Sequence, residues 1–113
     1  MSSHRLGDYI DHMRQAAGDA CGFVAGMDKA VFDADKRTQQ AVVMSLIILG
    51  EAATKVMDQH ADFAAAHPQV PWRSMRGMRN RIAHGYFAIN LDVVWETVQT
   101  ALPDLLQRLP EAP

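Results

Sequence analysis

One cysteine, two tryptophans and two tyrosines are found in 113 residues, and none of the apolar runs is long. Cys21 stands alone, so no internal disulfide can form, and the chain is expected to be cytoplasmic with Cys21 as a small core side chain. No uninterrupted apolar stretch approaches the ~18 residues that a membrane helix needs, so no membrane role is expected. The opening "MSSHRLGDYIDHM" carries acids and no apolar centre, unlike a secretory signal. Sustained period-two alternation is missing, as are internal repeats and low-complexity segments. A glycine-rich phosphate loop and a serine-nucleophile motif are missing too. His60 and His67 have neither a cysteine nor a histidine pair at helical spacing beside them, so no metal or other cofactor is expected.

What remains is helical. Hydrophobic residues make up 49% and charged residues 21%, which is the composition of a globular chain. At this length a chain buries roughly two thirds of its unfolded surface, so residues 1–113 are read as a single domain with one core. Leu6, Tyr9, Ile10, Met13, Ala16 and Ala17 recur at three- and four-residue steps and predict a helix from about His4 to Gly22. Gly22 and Gly26 bracket its end, and Asp28 can cap a short turn, "KAVFD". The longest helix is expected from about Asp35 to His60. Its apolar residues cover so much of the circumference that neighbours, or a second copy of the chain, should wrap it on several sides.

Gly50 interrupts that helix, where glycine costs about 1 kcal/mol against alanine. This points to a close helix crossing. Glu51, next to it, is either an exposed, hydrogen-bonded acid or one that orients an arginine. The prolines of "AHPQVPWRS" break the pattern, and a new helix runs from Trp72 to about His84. Gly85 is expected in the left-handed position just past its end. A last helix starts at Asn90 or Asp92 and is kinked or restarted at Pro103, leaving "PEAP" frayed. Trp72 and Trp95 read as packing anchors, and the seven methionines as core filler. The fold class is all-α, a bundle of about five helices.

The net charge of −2 is unevenly spread. Between Asp62 and Asp92 there is no acid, and Arg73, Arg76, Arg79 and Arg81 lie in that gap. A local basic patch on an acidic body suggests a specific anionic ligand. Arg73 and Arg76 lead into Arg79 at three-residue steps, either as a solvated face or as a guide for phosphate. DNA binding fits less well, because the patch is small and no base-reading helix is apparent.

Arg79 and His84 are five apart, so an ideal helix would set them roughly 140° apart unless it ends at the histidine. Orphan carbonyls at such an end favour a positive imidazole. A guanidinium can grip two phosphate oxygens. Metal-free RNA cleavage asks for a base at the 2′-hydroxyl, an acid at the leaving 5′-oxygen and a cation at phosphorus. One histidine does not readily perform both proton transfers in one step, but two copies from a symmetric dimer can.

The run Arg79, Asn80, Arg81-Ile82-Ala83, His84-Gly85-Tyr86 resembles the signature of HEPN domains of the HepT-like kind, the toxin half of HepT–MntA toxin–antitoxin pairs. "TQQAVVMSLIILGEA", "VPWRSMRGMRN" and "VVWETVQTALPDL" resemble the surrounding helices, so the likeness covers most of residues 5–109. The resemblance implies a metal-independent endoribonuclease toxin of a type VII-like pair, acting as a homodimer. Arg79, Asn80 and His84 would be catalytic, and Arg73 and Arg76 would guide RNA phosphates. It further implies an MntA-like nucleotidyltransferase antitoxin that uses ATP to attach AMP to Tyr86, with room for a larger hetero-oligomer. A bulky anion there would repel RNA. The other reading keeps the motif in a non-catalytic HEPN module that binds the nucleotidyltransferase. Growth arrest by this chain alone, relieved by His84→Ala, distinguishes the two.

Overall fold

A computed structural model describes residues 2–85 and 88–112. Among the described residues, seven α-helices follow one another: α1 (Ser2–Phe23), α2 (Lys29–Asp33), α3 (Lys36–Gln59), α4 (Ala61–Ala66), α5 (Trp72–His84), α6 (Leu91–Glu96) and α7 (Leu102–Arg108). A π-helical turn, Thr97–Ala101, joins the last two. No strand occurs among the described residues. The expected all-helical architecture is present, with its short helices divided more finely than the sequence pattern suggested.

The core forms where apolar stripes meet. On α1, Leu6, Ile10, Met13, Ala17 and Ala20 are buried, and they face the buried stripe Val42, Leu46, Leu49, Ala53 and Val56 of α3. Phe32 of α2 is fully buried and packs against Trp95, their rings 5.2 Å apart. α5 packs on another side of α3, and α7 and the π turn close over α1. Cys21 is half-buried, and burial pushes its thiol above the ordinary range. By length and composition α3 would pass for a membrane span, but half of that window is buried inside the bundle.

Local chemistry sets the helix boundaries. Gly26, at φ 80°, makes the turn after α1. Asp28 then accepts a hydrogen bond from the Val31 amide and caps α2, as expected. Asp35 caps α3 by accepting from both the amide (3.1 Å) and the hydroxyl (2.8 Å) of Thr38. These bonds, the amide's first, hold the Asp35 carboxyl below the ordinary carboxylate value. A carboxyl lowered on folding adds stability above its unfolded pKa, and that stability is lost as pH falls through the lowered value. Asp35→Asn keeps an acceptor that does not titrate. It is therefore expected to remove this part of the acid sensitivity, which urea midpoints measured from neutral to strongly acidic pH would reveal.

The break expected at Pro103 is present: α6 gives way to the π turn, where the Leu102 amide donates to the Thr97 carbonyl five residues back, and α7 then begins at Leu102 with Pro103 in its first turn. One expectation needs correction at the C-terminal end. The tail is not frayed as far as it is described: Leu109 is buried, Arg14 donates to the Pro110 carbonyl at 3.1 Å, and Ala112 packs on the core.

Candidate active site

α5 is fixed at its start and along one face. Trp72 is buried, and its indole N–H donates to the His67 carbonyl at 3.1 Å, so it is the packing anchor expected. Met75 and Ile82 continue the buried side. Between them α5 crosses α3 at Gly50, where a Cβ would collide with the Arg79 Cβ and lie 2.8 Å from the Met75 carbonyl oxygen. The close crossing read from the mid-helix glycine is therefore present, and Arg79 is the side chain it brings in.

Arg79 lies across that crossing. Its Nη1 pairs with Glu51 Oε1, its Nη2 reaches Thr54 Oγ1 at 3.5 Å, and its Nε donates to Asn80 Oδ1 at 2.8 Å. The Arg79 side chain is 20% exposed while Glu51 is 51% exposed, so the acid holds the guanidinium from its solvent side. Glu51 is thus an exposed, hydrogen-bonded acid that also pairs with an arginine of the patch, and both readings of it hold. Thr54 was not foreseen. Its hydroxyl donates to the Gly50 carbonyl at 2.8 Å and so turns a lone pair toward Arg79. Its position, one turn beyond a helical glycine–acid pair, was the available signal.

The other motif residues end the helix. His84 is exposed in the last turn of α5, and Asn80 is exposed one turn earlier. The helix stays regular to its end, with the Gly85 amide donating to the Arg81 carbonyl at 2.9 Å. Within one protomer, Arg79 and His84 therefore leave α5 in directions roughly 140° apart, and no described hydrogen bond joins them. Gly85 does not take the expected left-handed conformation; its φ is −123°. It is still suited to the position, because a Cβ there would lie 3.1 Å from the Arg81 carbonyl oxygen. Tyr86 lies outside the described residues.

The basic patch is smaller in space than along the chain. Arg76 pairs with Asp58 at 3.0 Å and Arg79 with Glu51, both acids coming from α3. Among the described residues, Arg73 and Arg81 have no ion-pair partner, and both are exposed. The acids that cancel half of the patch are distant in sequence, so a window along the chain could not reveal them.

The sequence that builds this helix pair has relatives among known proteins. The sequence profile of the family described as "Ribonuclease HepT-like" matches residues 13–112. The chain belongs to the HepT-like ribonuclease family. A relative from Thermococcus cleftensis named "Probable ribonuclease HepT" is 36% identical over 103 residues, covering 91% of this chain and 89% of its own. A protein of Methanocaldococcus jannaschii bearing an RNase name is 34% identical over 106 residues, covering 94% and 82%. Another from Caldanaerobacter subterraneus is 33% identical over 103 residues, covering 91% and 89%. No solved structure matches. As a HepT-like ribonuclease the chain is an enzyme, an endoribonuclease by class.

Held on three sides, the Arg79 guanidinium is fixed before any anion arrives. Fixing the guanidinium in advance reduces the reorganisation needed when phosphate charge arrives. Glu51→Ala is expected to leave stability nearly unchanged, since a half-exposed pair contributes about 0–1 kcal/mol, while RNA cleavage falls roughly tenfold as Arg79 loses its orientation. Urea midpoints and initial cleavage rates on the same preparations would test this separation.

Proposed function

We propose that the chain is a metal-independent ribonuclease toxin whose reaction is carried by Arg79, Asn80 and His84 from two copies of the chain. The observation that carries this reading is Arg79, fixed by Glu51, Thr54 and Asn80, in the same short helix whose last turn exposes His84. The family match supports it independently.

One His84 removes the proton from a 2′-hydroxyl. The 2′-oxygen attacks phosphorus, the bond to the 5′-oxygen breaks, and the partner subunit's His84 protonates that leaving oxygen. The products are a 2′,3′-cyclic phosphate and a free 5′-hydroxyl. Arg79 stabilises the charge that grows on the phosphoryl oxygens, and Asn80 positions the guanidinium through its Nε. Arg73 and Arg76 guide the flanking phosphates.

The wide angle between Arg79 and His84 on one helix supports a two-chain site, because a phosphodiester can then be gripped by one protomer and protonated by the other. The surface of α3 is suited to such pairing. Met44 and Ile48 are 56% and 44% exposed, two turns and one turn respectively before Glu51 on the same face. Core filling accounts for Met13 and Met75 but not for Met44.

We further infer neutralisation by an MntA-like nucleotidyltransferase that transfers AMP to Tyr86, two residues beyond His84. The bulky phosphate would compete with RNA for the arginines. The test is incubation of the purified chain with RNA in the presence of chelator, together with sedimentation to establish a dimer. Cleavage to cyclic-phosphate ends by a dimer is expected; intact RNA across varied substrates overturns the reading. Co-production with such a partner and ATP is expected to release pyrophosphate and to add one adenylyl group, the mass of AMP less one water, at Tyr86.

A further inference from the structure

A hollow of about 650 Å³ opens between α4, the proline-broken segment and the first turns of α5. One wall is apolar and built of small or flat side chains, among them Met57, Ala61, Ala65 and Pro68. The other carries Arg73, Ser74 and Arg76, with Asp58 at its edge. Arg73 is exposed and unpaired among the described residues. Arg76 shares one Nη with Asp58, and its Nε–H is buried without an acceptor. The Asp58 side chain is 61% exposed, so the pair is screened and a phosphate can displace the carboxylate. A volume of this size is that of a small-molecule site.

We propose that this hollow holds one nucleotide of single-stranded RNA flanking the scissile bond, its base on the alanine–proline wall and its phosphate on Arg73 and Arg76. The proposal rests on the ribonuclease reading and adds where the uncut strand is gripped. An apolar wall beside two cations matches a nucleotide, which presents a flat face and an anion together. The base must be unstacked to reach that wall, which selects a single strand over a duplex. A strand also suits the row better than a free nucleotide does. Arg73 lies about 9 Å along the α5 axis from Arg79 and Arg76 about 4.5 Å, so the hollow feeds a chain of phosphates toward the motif.

The test uses a fluorescent RNA decamer with 2′-O-methyl groups throughout, which blocks the 2′ nucleophile, and reads binding by anisotropy over a range of salt. Arg73→Ala is expected to weaken binding and to reduce the slope of log Kd against log salt by about 0.7, the value of one single-strand phosphate contact. Ala65→Leu fills the hollow from an exposed helix position without offering a ring on which a base could stack. It should weaken binding severalfold, with the salt slope unchanged. Arg5→Glu, exposed on α1, is the charge control and should bind as the unaltered chain does.

Wild-type binding undiminished by both Arg73→Ala and Ala65→Leu overturns the strand site, whether or not the chain cuts RNA. Binding lost in both, with no cleavage of ordinary RNA, supports the strand site and removes the ribonuclease reading instead. AMP or UMP competing as tightly as the decamer itself would make the hollow a free-nucleotide site and overturn the proposal. So would a wild-type chain that binds no decamer.

Discussion

His84→Ala is expected to reduce RNA cleavage by about 10²–10⁴-fold, the range for loss of a general acid–base group, with little change in stability. His84 is exposed in the last turn of α5 and makes no described hydrogen bond, so its removal leaves the packing intact. Arg79→Ala is expected to cost about 10²–10³-fold, as does removing one charge-stabilising donor from an acyl-transfer site. Arg79→Lys should recover little, because an ammonium cannot donate to Glu51, Thr54 and Asn80 together as the guanidinium does. Initial rates on a short RNA in chelator would measure all three. Cleavage by His84→Ala at the wild-type rate would remove the histidine from the reaction, and with it the two-chain mechanism.

Gly50→Val is expected to have the largest effect on the fold. The new Cβ would meet the Arg79 Cβ and the Met75 carbonyl, and neither is the yielding end of a flexible chain. Overpacking of this kind costs about 1–3 kcal/mol, a large share of the ~5–15 kcal/mol that holds a typical domain together. If the helices separate to make room, Arg79 moves away from Glu51 and Thr54, so cleavage should fall beyond what the unfolded fraction explains. Gly50→Ala is the sharper comparison. Alanine gains about 1 kcal/mol of helix propensity and still encounters the same carbonyl. A lower urea midpoint for Gly50→Ala would confirm that the crossing prevails, whereas a higher one would mean that α5 has room to move.

Much of this was legible along the chain because it is governed by local rules. The α1 stripe, the cap at Asp28, the start of α3 near Asp35, the proline break before Trp72 and the end of α5 at His84 each depend on residues within a turn or two. Even the crossing at Gly50 announced itself, since a glycine inside an apolar helix needs a reason. The motif around Arg79 and His84 was likewise visible as spacing, and the family match agrees with the resemblance it suggested.

The sequence by itself determined the helices, their buried faces and the order of the motif, because periodicity and capping act between near neighbours. Only the tertiary structure decided which charges meet. Glu51 and Asp58 lie on α3, many residues before Arg79 and Arg76, and the antiparallel packing of α3 against α5 turned an acid-free stretch of arginines into two paired cations and two open ones. The hollow beside Arg73 and the docked tail have the same origin. Each depends on surfaces separated in the chain, and Coulomb forces and packing act through space without regard to sequence distance.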